Sequence, residues 1–272
     1  MVSTMSRKRL TQIFPFLIPL RRAQATFCFY QKMKHDPKYQ LHQMSETLPY
    51  NHYTLRQNMI NAESGFDIKY QYNKAYNLQC YAKPIHRILI EPEKTFSFCY
   101  LIKDVSSNNE LKEGLKLVDG VIQPSIGGGL CQLSNMIYEA ALHTELTISE
   151  RHPHLIEYIY NPSETIIGLD ATIAVGWCDL KLTNNTTHPY QILVTFDGTD
   201  IIVQINSTIQ NTKQYIITNS NLHYTTTGNH TYQTVDVNRT TLYPNGKQST
   251  TKLYTNKCEI GYSLDLCKEE RR

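Results

Sequence analysis

The chain has 272 residues, enough for one large domain or two small ones with a sizeable core. Its net charge of +3 is too small to indicate a nucleic-acid partner. A hydrophobic content of 40% and a mean hydropathy of −0.41 are those of an ordinary soluble globular protein, and no apolar run is long enough to span a bilayer.

In chain order, residues 1–36 form a basic segment. Arg7, Lys8, Arg9, Arg21 and Arg22 flank the apolar run Ile13–Leu20, and Asp36 is the only acid before Tyr39. The run reads in three ways. It resembles a signal-peptide core, with Ala23-Gln24-Ala25 as a cleavage site. Against that, Arg21 and Arg22 interrupt the approach and two prolines weaken the helix. It also suits a basic anchor making peripheral contact with an anionic membrane, or an integral part of the fold. The expectation is an integral or surface-associated segment. Without a clean export signal the chain reads as cytoplasmic, whereas a cell-wall enzyme would belong to the envelope or the membrane.

Residues 37–94 form a mixed region, with helical character from Leu55 to Ala62 and an extended stretch from Asp67 to Tyr72. Residues 95–206 hold the motifs. The stretch Ser125-Ile126-Gly127-Gly128-Gly129-Leu130-Cys131-Gln132-Leu133-Ser134-Asn135 is the most informative. After Cys131, the apolar residues Leu133, Met136, Ile137, Ala140 and Ala141 recur at helical spacing. The pattern predicts a helix from Cys131 to about Leu142, with Ile137 and Ala141 facing a sheet. A thiol in the first turn of a helix has its pKa lowered, and the thiolate is the nucleophile. Gly127, Gly128 and Gly129 let a substrate approach and offer N–H groups to an oxyanion. The competing reading is that Cys131, one of seven cysteines, is a small buried hydrophobe.

Thr147-Ile148-Ser149 starts a short strand, followed by Glu150-Arg151-His152-Pro153-His154. In extended backbone His152 and His154 face the same side, and either serves as base to the thiol. Asp170 or Asp179 would orient that base. Arg151 suits carboxylate recognition. Each has a plainer reading, as a hydrogen-bonded histidine, a turn-capping aspartate or a solvated arginine. Zinc held by Cys131, His152 and His154 ranks below thiol chemistry, because no paired ligand motif is present. No cofactor is expected.

Further on, Gln191–Phe196 and Ile201–Ile205 form a hairpin about Asp197-Gly198. Residues 207–272 are a β-rich extension, with a second hairpin at Tyr243-Pro244-Asn245-Gly246. The fold expected is α+β: a mostly antiparallel sheet with one key helix after the glycine-rich turn. The odd cysteine count fits one free catalytic thiol, and full reduction fits equally.

Taken together, Pro92–Phe98, Gly127–Ser134, Glu150–His154, Gly168-Leu169-Asp170-Ala171-Thr172-Ile173 and Asp179–Thr186 resemble the VanW family in order and spacing. The likeness extends over nearly the whole chain. It implies an association with glycopeptide (vancomycin) resistance. It also implies a cysteine-dependent L,D-transpeptidase chemistry on peptidoglycan stem peptides or their precursors, with Cys131 as nucleophile. His152, His154 and Asp170 carry over as matched positions around it. Gly127, Gly128, Gly129, Gln132, Ser134 and Arg151 would meet the substrate. Leu155–Glu164 departs from the shorter link common in longer family members, and so touches substrate detail. The alternative is a non-catalytic accessory protein of the resistance pathway.

Overall fold

The structure is a computed structural model that describes residues 15–118, 121–157 and 166–262. Helix α1 (Ile18–Lys34) leads into strands β1 (His42–Gln43) and β2 (Tyr50–Asn58). Helix α2 (Lys69–Ala82) and strands β3 (Ile88–Ile90) and β4 (Thr95–Ser97) follow. Two four-residue helices, Phe98–Leu101 and Val105–Asn108, precede the hairpin β5 (Glu113–Val118) and β6 (Val121–Ile126). Helix α3 (Cys131–Leu142) comes next, then the short strands β7 (Thr147–Glu150), β8 (Ile156–Glu157) and β9 (Lys181–Thr183). The remainder is β: β10 (Tyr190–Asp197), β11 (Asp200–Ser207), β12 (Gln214–Thr227), β13 (His230–Leu242) and β14 (Gln248–Ile260).

The fold is α+β and mostly antiparallel. One sheet has the order β1-β3-β10-β11-β2, with every pairing antiparallel. A second has the order β12-β13-β14-β8, in which only β14 and β8 run parallel. A three-stranded sheet, β4-β9-β7, and the β5-β6 hairpin complete it. The expected hairpin closes with Asp197 opposite Asp200, and Gly198 takes φ +58° in the turn. The second hairpin closes with Leu242 opposite Gln248, with Gly246 at φ +77°.

Helix α3 forms where the apolar spacing requires it. Leu133, Met136, Ile137, Ala140 and Ala141 are all fully buried, and the helix packs against β11, β2 and β7. Each large apolar side chain so buried contributes about 1.5–3 kcal/mol. This packing fixes the start of α3, and with it Cys131, against the main sheet.

Two expectations fail in residues 50–82. Tyr50–Asn58 is a strand rather than the start of a helix over 55–62, because it pairs along β11 and its alternate residues turn inward. Asp67–Tyr72 is not extended: Lys69 begins α2, and Asp67 accepts the Lys69 N–H at 2.9 Å. Tyr70 and Tyr72 lie on a helix whose buried face carries Leu78, Cys80, Tyr81 and Ala82. Tertiary packing overrides local propensity at both places. The candidate cleavage site Ala23-Gln24-Ala25 lies inside α1. No helix among the described residues is long and apolar enough to cross a membrane.

Candidate active site

Cys131 is the first residue of α3, and no side chain caps this helix end. Among the described residues, the N–H groups of Gly129, Leu130 and Cys131 donate to no backbone carbonyl. The glycine turn is held tightly behind them. A Cβ on Gly128 would lie 2.4 Å from the Gly114 backbone, so two chain segments touch where only glycine fits. Buried Asn77 pins both segments: its Nδ2 donates to Lys112 O at 2.9 Å and Gly128 O at 3.1 Å, and its Oδ1 accepts the Lys112 N–H at 2.8 Å. Gly129 turns into the helix at φ +95°.

His154 faces the sulfur. One ring nitrogen, Nδ1, lies 2.8 Å from Asp170 Oδ2, and the imidazole also hydrogen-bonds Cys131. Asp170 further accepts the backbone N–H of His154, so one carboxylate holds both ring and main chain. Burial opposes charge on the imidazole, but its bonds to Asp170 and Cys131 prevail and hold its pKa above the ordinary histidine value. Burial likewise opposes the thiolate. The His154 hydrogen bond and charge, the Ile173 N–H and Lys116 outweigh it and lower the Cys131 pKa. Sulfur and ring therefore favour a thiolate–imidazolium pair.

The segment carrying Asp170 is strapped onto α3. Asn135 accepts the Ala171 N–H at 2.8 Å, and Ser134 Oγ donates to Ala171 O at 2.7 Å. Arg151 clamps the other side, with Nε on Asp170 O at 2.6 Å and Nη2 on Gly168 O at 3.0 Å and on Asp170 Oδ1 at 2.5 Å. Its guanidinium lies over the Tyr254 ring, 4.4 Å from the centroid. Tyr254, from the C-terminal sheet, donates to Gly168 O at 3.0 Å. Gly168 has φ +79°, and a Cβ there would meet the Asn256 side chain at 2.9 Å. The C-terminal sheet thus buttresses the strap that holds Asp170.

The structure separates residues that the sequence grouped. The two histidines do not face one side, because β7 ends at Glu150 before either is reached. His152 Nε2 lies 3.0 Å from Glu150 Oε1, and Glu150 also binds Lys181 at 2.7 Å. Asp179 is buried elsewhere, accepting the Ser97 hydroxyl and the Cys99 N–H. Ser134 is buried, and Arg151 bonds to the strap rather than opening to the cleft. Gln132 lies in the cleft wall, with Nε2 on Asn58 O at 2.9 Å. The described residues contain no cluster of three metal-ligating side chains placed to hold an ion. Six cysteines are described, of which Cys28, Cys80, Cys99, Cys131 and Cys178 are free thiols; Cys267 lies outside the described residues, as does most of the divergent link after Glu157.

Sequence reasoning did not single out Asn77, Asn135 or Glu157. Asn77 and Asn135 bind backbone across long sequence separations, which leaves no local pattern to read. Burial, and secondarily Asp170, push the Glu157 carboxyl up to about 7.

Cys131, His154 and the three glycines open onto a cleft of about 870 Å³. Helix α1 contributes Thr26 and Tyr30 to its wall. Two buried polar atoms of the wall, Gln132 Oε1 and Thr172 Oγ1, have no hydrogen-bond partner among the described residues.

The sequence model described as "VanW like protein" matches residues 73–206. The chain is 40% identical over 264 residues to the "Vancomycin B-type resistance protein VanW" of Enterococcus faecalis (strain ATCC 700802 / V583), covering 96% of each chain. The chain belongs to the VanW family. It is also 28% identical over 135 residues to the "Uncharacterized protein YoaR" of Bacillus subtilis (strain 168), covering 50% of this chain and 43% of that protein. No solved structure matches it. The family match spans the glycine turn, Cys131, His154 and Asp170. The strap's contacts with Tyr254 and Asn256 lie beyond it, within the part shared with the Enterococcus protein.

Proposed function

We propose that this VanW-family protein acts in vancomycin resistance as a cysteine-dependent acyl transferase of the L,D-transpeptidase type, on peptidoglycan stem peptides or their precursors. The observation that carries the reading is the Cys131–His154–Asp170 relay at an uncapped helix N-terminus, open to a cleft. The resistance role rests on the likeness to the Enterococcus protein.

The Cys131 thiolate adds to the donor carbonyl, and the N–H groups of Gly129, Leu130 and Cys131 receive the oxyanion. The carbon–nitrogen bond to the terminal D-alanine breaks, and the His154 imidazolium gives its proton to the departing amine. A thioester on Cys131 remains. The acceptor amine then attacks its carbonyl, neutral His154 takes the amine proton, and the thiolate leaves. Asp170 keeps Nδ1 of the ring engaged throughout, which leaves Nε2 to face the sulfur.

Incubation of the purified protein with tetrapeptide stems and an amine acceptor, followed by intact-mass analysis, tests the reading. A Cys131 acyl adduct and a crosslinked product are expected. If neither forms while the stems still bind, a non-catalytic accessory role in the resistance pathway replaces the transferase.

A further inference from the structure

The charged groups that line the cleft are Lys74, Lys103, Lys116 and His154, all basic, and no carboxylate is among the described lining residues. Lys74 is the most constrained. It rises from α2, and its stem lies flat on the glycine turn: a Cβ on Gly129 would fall 2.1 Å from Lys74 Cγ and 2.8 Å from Cδ. Gly129 is two residues before Cys131, so the absence of a side chain there brings the Lys74 stem down beside the nucleophile. Among the described residues the Lys74 amine has no hydrogen bond or ion pair. Burial alone acts on it and lowers its pKa to about 8. Lys74 is half-buried, and an anion reaching its amine from the cleft would supply the charge partner it lacks among the described residues. Thr172 adds to the same wall a hydroxyl that has no partner among the described residues.

We propose that Lys74 anchors a free carboxylate at the end of the donor peptide, so that the cleft selects peptides whose C-terminus is an unmodified acid. This rests on the acyl-transfer reading of Cys131 and names the substrate class of that site. The last donor residue then lies over the glycine turn, with its carboxylate on Lys74, while the carbonyl of the residue before it, bonded to its nitrogen, stands before the sulfur. The leaving group is that single residue. Phosphate shares the charge, but the attacked group is a peptide carbonyl next to the anchor, which fits a terminal residue better than a phosphoryl group.

The test uses the full chain carrying Cys131→Ser, so that binding is read without turnover. Calorimetry compares N-acetyl-lysyl-D-alanine as the free acid and as its C-terminal amide. The acid is expected to bind roughly tenfold more tightly, the equivalent of about 1.4 kcal/mol. Adding Lys74→Met should reduce that preference below about twofold, and Lys74→Arg should keep most of it. Lys74→Met should not lower the melting temperature, since it removes a half-buried charge that has no partner among the described residues and keeps the apolar stem on the glycine turn. Equal binding of acid and amide overturns the anchor, as does no binding of either, or a preference that survives Lys74→Met. Displacement of the acid by equimolar inorganic phosphate also overturns it, by showing an anion site indifferent to the peptide. Turnover by the unsubstituted protein is read separately. A preference without transfer sinks the transferase and leaves the anchor; transfer from acid and amide alike sinks the anchor alone.

Discussion

Two cysteines of this molecule sit in the first turn of a helix with an aspartate close by, and they are driven in opposite directions. Cys131 begins α3, and His154 stands between it and Asp170. Cys99 is the second residue of the short helix Phe98–Leu101, and its N–H goes straight to Asp179 at 2.9 Å. Burial raises the Cys99 thiol pKa, and the Asp179 charge raises it further. At Cys131 burial also opposes the thiolate, but the imidazole reverses the outcome. A helix start is therefore not what activates a thiol here. The group interposed between sulfur and carboxylate decides the sign.

The largest expected effect breaks the comparison at its centre. Cys131→Ser is close to isosteric and should keep the fold, while acyl transfer and the resistance it supports should vanish. Retained product with Cys131→Ser would make Cys131 structural. Cys99→Ser should leave transfer intact, because Cys99 faces the interior and not the cleft.

His154→Ala removes the interposed ring. The rate of transfer should fall by about 10²–10⁴-fold, the range for a positioned general acid–base. The pH dependence of Cys131 alkylation gives an independent measurement. With a lowered thiol pKa, the unsubstituted protein should begin to react at lower pH than an ordinary thiol. In His154→Ala that onset should move to higher pH, so the loss is greatest at low pH. Mass mapping should find Cys131 alkylated first and Cys99 among the last. An unchanged onset in His154→Ala would remove the ring from thiol activation.

Asp170→Asn tests the outer partner. It leaves Arg151, which is largely buried, without its anion, a loss of about 3 kcal/mol for a broken buried pair. The pH dependence follows from the raised His154 pKa. A base whose pKa rises on folding adds stability that is fully present below its unfolded value near 6.5. That stability is lost as pH rises through the folded value. Asp170→Asn should flatten this decline, as measured by melting temperature against pH. A decline as steep as in the unsubstituted protein would show that Asp170 does not hold the charged ring.

Much of this site is legible in sequence, and the rest is not for definite reasons. The helix after the glycines is legible because Leu133, Met136, Ile137, Ala140 and Ala141 satisfy one period and the packing agrees with it. The hairpin at Gly198 is legible because alternation and turn chemistry coincide. The strand Tyr50–Asn58 is not, since its partner β11 lies some 150 residues away. The choice between Asp170 and Asp179 is equally hidden. Both follow an apolar residue, and only the strap's bonds to Asn135 and Arg151 bring one of them to the ring. Lys74 is hidden too, because its meaning depends on the empty side of Gly129.

The smallest expected effect separates the two histidines that sequence spacing leaves equivalent. His152 is partly exposed, and its Nε2 meets Glu150, a carboxylate already paired with Lys181. Its backbone carbonyl accepts the Thr172 N–H at 2.8 Å, a bond that any side chain at position 152 preserves. The side chain thus contributes one solvent-screened contact, worth about 0–1 kcal/mol. His152→Ala should leave the transfer rate within about twofold and the Cys131 alkylation onset unmoved, with a melting temperature lower by at most a few degrees. A loss comparable to that of His154→Ala would mean that Glu150 and His152 reach the nucleophile in the working state. The relay would then have to be redrawn through β7 instead of through the strap.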